Sequence, residues 1–461
     1  MTTMAAPASD ARGLRTIIFA SSLGTLFEWY DFYLYGALAI FFGDLFFPKG
    51  DGNAGLLASL ATFGAGFGVR PLGAIVFGRV GDLVGRKYTF VVTIVTMGLS
   101  TALIGFLPTY AQVGLLAPAL LVTLRLVQGL ALGGEYGGAA TYVAEHVPDG
   151  RRGFYTSFIQ TTATLGFFLS LGVIAAARVF FGADGFKAHG WRAPFILSIA
   201  LVAVSLWIRL RLAESPLFAR LKAEGRVAKN PLKESFGNPR NLKYVLLALF
   251  GATAGQGVVW YTGQFYALTF LQKPLNLDWR YAYGVVACAL ALGTPLFVSF
   301  GRLSDRVGRK KIMLAGCALG ALTYIPIYMG LHALVNPALA PKVASLSVGA
   351  FAGVVALLAL QMVYVAMVYG PIAAFLVELF PTSIRYTSMS LPYHLGNGWF
   401  GGFLPLIATA VTTSTWAKTT FGDGAIYTGL IYPIAVALLT TIIGALFIRE
   451  TRDHKIDTPI S

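Results

Sequence analysis

The most regular feature of the chain is the recurrence of long apolar stretches separated by short polar ones. Each apolar stretch has about twenty residues or more, enough to cross roughly 30 Å of hydrocarbon as a helix. They predict twelve transmembrane helices, called spans 1 to 12 from here on, at 16–42, 54–78, 88–107, 113–141, 154–181, 193–211, 243–270, 281–300, 311–331, 345–377, 386–411 and 425–448.

The composition agrees with this pattern and excludes a soluble protein. Of the 461 residues 56% are hydrophobic and 12% are charged, whereas a soluble domain carries about 25% charged residues. We therefore expect an all-α polytopic membrane protein. The sequence has no phosphate-binding loop, metal-ligand cluster or nucleophile with a matching base. We expect no enzyme activity, no cofactor and no metal.

The basic residues are distributed unevenly between the loops. If the N-terminus is cytoplasmic, the inner loops and tails hold 25 of the 35 Lys and Arg residues and the outer loops hold eight. Positive charge concentrates on the cytoplasmic side of membrane proteins. The distribution predicts that both termini are cytoplasmic, and it explains the net charge of +15 without a nucleic-acid partner.

Three sequence matches relate the two halves of the chain. The loop GRVGDLVGRK at 78–87 recurs as GRLSDRVGRK at 301–310, seven positions match at an offset of 233 residues, and span 1 matches span 7 at an offset of 231. Parallel repeats of six spans predict two lobes with a binding site between them. We expect an N-terminal lobe at 1–212, a cytoplasmic linker at 213–242 and a C-terminal lobe at 243–461.

The repeated loop resembles the signature of the major facilitator superfamily. Within it, Phe27–Gly36, Val69–Gly73 and Leu126–Gly138 are similar to the metabolite:proton symporter family. Members of that family carry organic acids, or zwitterions such as proline and betaine, together with protons. The resemblance implies proton symport of a small organic anion, a mono-, di- or tricarboxylate or an aromatic acid. It also implies a monomer in the lipid bilayer of a bacterial inner membrane.

Two other functions stay open at this point. One is proton symport of a zwitterionic compatible solute, and the other is an uncoupled uniporter. Osmosensing relatives often carry a long C-terminal coiled coil, whereas this chain ends soon after span 12. The anion is therefore the expected substrate.

Five charged residues lie inside the spans of the N-terminal lobe: Glu28, Asp31, Arg70, Arg125 and Glu135. Such residues are costly in a membrane unless they are paired or hydrated. Their repeat counterparts in the C-terminal lobe are uncharged: Val259, Thr262, Gly293, Leu358 and Val368. A structural role shared by both lobes does not predict this asymmetry, but a proton and anion site in one lobe does.

Depth along the helices suggests which of these charges meet. A rise of about 1.5 Å per residue puts Asp31 level with Arg125, and Arg70 level with Glu135 or Glu28. We expect Asp31 to carry the coupled proton with Arg125 as its switchable partner, and Glu135 and Glu28 are further proton-coupling candidates. The alternative is a permanent salt bridge between Asp31 and Arg125.

Arg70 is the candidate ligand of the substrate carboxylate, because a guanidinium binds a carboxylate through two hydrogen bonds. The alternative is a structural lock on Glu135. The other substrate-binding candidates are uncharged, and each could instead join two helices: Tyr30, Gln160, Gln256, Tyr261, Gln264, Tyr266, His394 and Asn397.

Repeated charges at the predicted cytoplasmic ends of the spans are candidates for gating. We expect them to hold that side closed, although they could serve only to fix the topology. They are Asp82, Arg86, Glu145 and Arg152 in the first half and Asp305, Arg309, Glu378 and Arg385 in the second.

Overall fold

The computed structural model describes residues 11–48, 53–83, 86–134, 136–148, 150–211, 231–381 and 384–454. For some helical residues, 78–83 and 86–90 among them, it describes the backbone alone. These parts of the chain are helical apart from short connections and one isolated bridge between Leu277 and Val343.

The helices fall into twelve segments, as the sequence predicts. In the N-terminal lobe they are Ala11–Ala37 with Ala39–Phe46 (span 1), Ala54–Gly68 with Arg70–Leu83 (span 2), Arg86–Ile104 (span 3), Leu116–Gly133 with Tyr136–His146 (span 4), Arg152–Ala188 (span 5) and Ala193–Arg211 (span 6). In the C-terminal lobe they are Pro239–Gln272 (span 7), Trp279–Val307 (span 8), Arg309–Val335 (span 9), Val348–Tyr369 with Ile372–Leu379 (span 10), Arg385–Thr413 (span 11) and Ile431–Phe447 (span 12).

Span 2 is interrupted at Val69, directly before Arg70 and Pro71. A proline cannot donate a backbone hydrogen bond, and its ring disturbs the preceding helical turn. The carbonyl of Gly68 here accepts a hydrogen bond from the indole of Trp399 in span 11, at 3.0 Å. The interruption therefore places Arg70 at the start of a new helix and joins the two lobes at that level.

Spans 7 and 11 contain π-helical turns, which often occur at functional sites. They lie at Leu249–Thr253, Thr262–Tyr266 and Gly396–Gly402. Gln264, Tyr266 and Asn397, three of the predicted substrate-binding residues, are in these turns. The C-terminal wall of the molecule is therefore irregular at the positions where the sequence predicts contacts with substrate.

The two lobes meet along two pairs of spans. Span 5 packs against span 8, and span 2 packs against span 11. The repeat exchanges span 2 with span 8 and span 5 with span 11, so the two contacts are equivalent by pseudo-symmetry. At the first contact Gly153 and Gly301 approach so closely that neither position has room for a Cβ atom.

The predicted linker at 213–242 is only partly described. Its described portion contains the helix Pro231–Phe236 and the first turn of Pro239–Ala248. The hydroxyl of Ser388 in span 11 donates to that of Ser235 at 2.9 Å. This portion is therefore helical and packed on the C-terminal lobe, and the lobe boundaries stay a prediction.

Candidate functional site

Glu28 and Asp31 point into the N-terminal lobe and are buried, with 4% and 2% of their surfaces exposed. The hydroxyl of Ser198 in span 6 donates to Oδ1 of Asp31 at 2.5 Å. The hydroxyl of Tyr30 donates to the carbonyl of Pro194, also in span 6, at 2.8 Å. Tyr30, predicted to bind substrate, therefore joins spans 1 and 6. Ser198, a neutral residue in an apolar span, gave no signal in the sequence.

Arg125 is fully buried in span 4, but it does not pair with Asp31 as predicted. Its Nη1 donates to the carbonyl of Phe32 at 3.3 Å and to Oε1 of Gln128 at 2.7 Å. The guanidinium lies over the rings of Phe32 and Tyr35, 4.1 and 4.7 Å from their centroids. Helical rise gives depth but not direction around the helix. Arg125 therefore bonds the backbone of Phe32, the residue after Asp31 in span 1, while the carboxylate of Asp31 accepts from Ser198.

Glycines bring spans 2 and 4 together around the two arginines. A Cβ atom at Gly129 would collide with the carbonyl of Gly66, and one at Gly133 with the carbonyl of Arg70. Small residues at this spacing let membrane helices approach closely. The contact holds Arg70 and Arg125 on helices whose backbones touch.

Arg70 is the most unusual side chain of the site. It is fully buried, and none of its guanidinium nitrogens has a hydrogen-bond partner among the residues that the structure describes. Its guanidinium carbon lies 5.3 Å from the ring of Trp29 and 5.1 Å from that of Phe67. The predicted partner Glu28 forms no ion pair with it, and Glu135 lies outside the described residues. A buried charge without hydrogen bonds is costly.

Aromatic side chains from both lobes surround the guanidinium of Arg70. The rings of Tyr136 and Tyr393 stack across the lobe interface, 3.4 Å apart. Gln160 donates to the hydroxyl of Tyr136 at 2.6 Å, and the hydroxyls of Tyr393 and Tyr369 lie 2.9 Å apart. A connected polar network thus crosses the interface near Arg70, and Gln160 belongs to it as a positioning residue for Tyr136.

The remaining predicted substrate-binding residues lie in the C-terminal lobe. Some of them bond to neighbouring helices, and the others face the interface between the lobes. Gln256 and Asn397 exchange two hydrogen bonds, at 3.0 and 2.9 Å, and so join spans 7 and 11 to each other. Tyr266 lies 3.5 Å from the hydroxyl of Thr412, near the end of span 11. For Gln256, Asn397 and Tyr266 these contacts fit the alternative that each residue joins two helices and does not bind substrate.

Three wall residues remain directed at the interface between the lobes. His394 is fully buried near Arg70, and neither ring nitrogen has a hydrogen-bond partner in the described part of the chain. Gln264 donates a long hydrogen bond of 3.5 Å to Thr164 in the N-terminal lobe, and its Oε1 has no partner among the described residues. Tyr261 packs edge-on against Phe67, with centroids 5.2 Å apart.

A charged cluster joins the lobes at one end of the molecule. We call this end, which carries the 301–310 loop and the start of span 5, the motif end. Arg309 contacts both oxygens of Glu378, at 3.1 and 3.3 Å, and Oδ1 of Asp305 at 2.7 Å. Asp305 also accepts from the backbone of Gly153 and Phe154, at 2.9 and 2.8 Å. A carboxylate at a helix N-terminus is favourable. Here the carboxylate of Asp305 belongs to the C-terminal lobe and the helix, span 5, belongs to the N-terminal lobe.

Arg152 completes the cluster from the N-terminal lobe. It lies 3.6 Å from Glu378. Arg385, the other predicted gating arginine near Glu378 in the chain, donates to the carbonyl of Phe380 at 3.0 Å. Asp82, Arg86 and Glu145, which would form the repeat-related cluster, have side chains outside the described part. The contact between Arg152 and Glu378 joins the two lobes.

The C-terminal segment belongs to the same cluster, which the sequence did not indicate. Glu450 accepts from the backbone of Arg309 and Lys310, at 2.7 and 3.2 Å. Thr451 donates to Glu378 at 2.8 Å, and the carbonyl of His454 accepts from Arg152 at 3.2 Å. The chain thus returns after span 12 to the start of span 9.

A second set of contacts joins the lobes at the other end, called the opposite end. The hydroxyl of Tyr283 in span 8 donates to the carbonyl of Ala37 in span 1, at 2.9 Å. Arg178 in span 5 lies over the ring of Trp279, 4.6 Å from its centroid. Neither contact was expected. The predicted gates are all charged residues, whereas this end uses aromatic rings and a backbone carbonyl.

Sequence comparisons agree with this architecture. The Major Facilitator Superfamily matches residues 21–391. The inner membrane metabolite transport protein YhjE of Escherichia coli K12 is 36% identical over 446 residues, covering 95% of both chains. The alpha-ketoglutarate permease of the same organism is 34% identical, covering 87% of this chain and 88% of the permease. The glycine betaine/proline/ectoine/pipecolic acid transporter OusA of Dickeya dadantii 3937 is 31% identical, covering 97% and 85%.

A solved structure has the same fold. The proton:xylose symporter XylE of E. coli superimposes with a TM-score of 0.70 at 17% identity, covering 96% of this chain and 98% of that one. Its two lobes of six helices correspond to the two lobes found here. With the repeat, the interrupted helices and the buried charges between the lobes, these findings show that the chain belongs to the major facilitator superfamily and is a multi-pass membrane transporter, not an enzyme.

Proposed function

We propose that the protein carries a small organic anion together with protons across a bacterial inner membrane, by alternating access. Arg70 is the observation that supports this proposal. A fully buried guanidinium with three unpartnered nitrogens needs an acceptor, and a substrate carboxylate supplies two oxygens in matching geometry. His394 and Gln264 offer further hydrogen bonds, and the aromatic rings around Arg70 exclude water.

The proton would be carried in the N-terminal lobe. Asp31 is buried and held by Ser198, and Arg125 bonds the carbonyl of the next residue along span 1. A change in the relative position of spans 1, 4 and 6 would bring Arg125 to Asp31 or remove it. A nearby arginine favours the ionised carboxylate, whereas burial alone favours the protonated one. Such an exchange couples proton binding to movement of the lobes.

The alternative substrate is a zwitterion such as proline or betaine. It also carries a carboxylate for Arg70, and the aromatic side chains Trp29 and Tyr33, stacked 5.0 Å apart, could receive its cationic part. Relatives of both kinds exist, the alpha-ketoglutarate permease and OusA. Orientation belongs to the proposal too, with the motif end and both termini in the cytoplasm.

Uptake into proteoliposomes tests substrate class and coupling together. Labelled α-ketoglutarate, shikimate, proline and betaine are each offered with and without an imposed pH gradient. Accumulation of an acid only with the gradient supports the proposal. Accumulation of betaine or proline alone favours the zwitterion. Uptake that equilibrates without responding to pH favours the uniporter.

The role of Arg70 is tested by Arg70→Lys, measured as counterflow exchange without a pH gradient. Lysine keeps the charge but loses bidentate geometry. We expect the half-saturation concentration to rise by roughly tenfold or more, since a hydrogen bond to a charged group is worth about 1.5–3 kcal/mol. Arg280→Lys, at an exposed arginine outside the Arg70 site, is the control and should leave this value nearly unchanged. If Arg70 is instead a lock on Glu135, Glu135→Gln reproduces its effect and both variants lower the protein yield.

A further inference from the structure

A polar cavity lies at the opposite end of the molecule, away from Arg70. Its volume is about 450 Å³, within the range of roughly 300–1,000 Å³ typical of small-molecule sites. It lies between the ends of spans 7 and 11 and the segment that precedes span 12, with Asn53 at the start of span 2 on its N-terminal-lobe side. We call it the vestibule, and its polar lining includes Asn53, Lys273, Thr409, Thr413, Lys418 and Asp423.

The charged side chains of the vestibule are not paired with one another. Among the residues that the structure describes, Lys273 and Lys418 form no ion pair, and neither pairs with Asp423. The lining therefore has two ammonium groups against one carboxylate. Isolated surface lysines are ordinary, but two of them face the same cavity here.

A buried hydroxyl gives independent support for a ligand. Thr409 is 6% exposed, and its Oγ1 has no hydrogen-bond partner in the described part of the chain. Threonines in membrane helices normally donate to the carbonyl one turn earlier, as Thr413 does to Thr409 at 2.8 Å. Thr409 is a lining residue of the cavity that Lys273 and Lys418 also line, and a rotation of its side chain would offer the unpartnered hydroxyl to a ligand there.

Two ammonium groups and a free hydroxyl match a small carboxylate that has a further polar group. Asp423 opposes a ligand of high negative charge, so a mono- or dicarboxylate fits better than a tricarboxylate. Tyr266 lines the vestibule and is in the π-turn that also contains Gln264. We propose that the vestibule is a second, low-affinity carboxylate site, which a substrate occupies before it reaches Arg70. This inference rests on the anion transport proposed above.

The local potential is tested with a cysteine probe that does not depend on transport. Thr413→Cys is placed in a chain that also carries Cys288→Ser, and the protein is purified into phosphatidylcholine nanodiscs. We expect an anionic methanethiosulfonate reagent to react faster than a cationic one, because lysines raise the local concentration of anions. Lys273→Gln with Lys418→Gln should lower that ratio by roughly threefold or more.

Lys187→Gln is the matched control, because it removes one lysine from the opposite end without touching the vestibule. It should leave the ratio unchanged. A ratio that is the same in the double variant, or that falls equally in the control, would overturn the electrostatic part of the inference.

Binding is tested by protection of the same cysteine. Millimolar α-ketoglutarate or shikimate should slow its modification, and the two lysine substitutions should abolish the protection. The experiment is repeated with Arg70→Ala, which removes the proposed central site. Protection that persists there supports a separate site, even if counterflow shows that Arg70 does not bind substrate.

Three results would overturn the proposal. Protection that disappears with Arg70→Ala would mean that the cysteine only reports occupancy of the central site. Protection that survives the lysine substitutions would assign it to other groups. Protection by anionic lipid added to the nanodiscs, with none from either soluble acid, would identify the vestibule as a lipid headgroup site.

Discussion

Asp31 and Arg125 bond neutral groups and not each other, and this arrangement has consequences for coupling. Asp31 holds a hydrogen bond from Ser198 at 2.5 Å, while Arg125 donates to the carbonyl of Phe32 and to Gln128. Asp31 could therefore give up Ser198 for Arg125, and Arg125 could give up the carbonyl of Phe32 for Asp31. Such a pair can switch at a small net cost, whereas breaking a buried salt bridge outright costs several kcal/mol.

Asp31→Asn tests the coupling role directly. Asparagine keeps the size and the acceptor for Ser198, but it cannot take up or release a proton. We expect accumulation driven by a pH gradient to vanish, while counterflow exchange continues at a comparable rate. Both are measured in proteoliposomes with the same labelled acid.

Ser198→Ala provides the control for this prediction. It removes the hydrogen bond to Asp31 but leaves a titratable carboxyl, so accumulation should shift in its pH dependence and persist. Accumulation that survives Asp31→Asn would move the coupling role to Glu28 or Glu135.

At the residue level the sequence predicted which charges are buried better than it predicted their partners. Glu28, Asp31, Arg70 and Arg125 are all buried, because a charge within an apolar span must face inward. Partners depend on the rotation and tilt of each helix, which helical rise does not determine. Ser198 and Gln128 are neutral residues in apolar spans, so no charge pattern could single them out.

At the level of helices, the C-terminal segment stabilises the start of span 9. Glu450 accepts from two free backbone N–H groups there, at 2.7 and 3.2 Å, as a capping carboxylate does. Lys310 returns the contact by donating to the carbonyls of Ala445 and Ile448, at 2.9 and 2.7 Å. The segment is therefore fixed at both of its sides, next to Arg309 and Glu378.

Glu450→Gln should loosen this segment without unfolding the helices. Glutamine keeps one acceptor but loses the charge that favours a helix N-terminus, a change of roughly 1 kcal/mol or about fivefold in the open population. We expect tryptic cleavage after Arg449 or Arg452 to be faster by about that factor, since cleavage follows the open population.

Asp453→Asn is the matched control, because that carboxylate is 82% exposed and pairs only with Arg452, at 3.1 Å, among the described residues. Its cleavage rate should match that of the unchanged chain. Equal acceleration in both variants would show that Glu450 has no special role.

Helix interruptions were predictable only where the sequence contains a proline. Pro71 lies at the break in span 2, and Pro371 lies at the break in span 10. The π-turns of spans 7 and 11 have no such marker. They depend on how the helices pack, for example where Gly257 meets the carbonyl of Gly396.

On the scale of the whole molecule, the lobes are joined at both ends by contacts of different chemistry. Charged groups and backbone N–H groups meet at the motif end, through Asp305 and Arg152. A tyrosine hydroxyl and cation–aromatic packing meet at the opposite end, through Tyr283 and Arg178. The internal repeat predicted two lobes, but a pattern shared by both halves cannot indicate which residues touch between them.

Because alternating access requires one set of contacts to break while the other holds, weakening each set should shift the lobes in opposite directions. Arg152→Gln removes a charge that contacts Glu378 across the interface, and Tyr283→Phe removes only the hydroxyl that bonds Ala37. Losing one such hydrogen bond, worth about 1 kcal/mol, changes the population ratio by roughly fivefold.

Pulsed electron paramagnetic resonance between spin labels measures this shift at each end. One pair of labels replaces the exposed residues Arg151 and Arg302, which are at the motif end in different lobes. The other pair replaces Asp184 and Lys342 at the opposite end. Arg152→Gln should lengthen the mean distance of the first pair only, and Tyr283→Phe that of the second only. Widening of the same end by both variants would contradict reciprocal gating and would favour general loosening of the lobe interface.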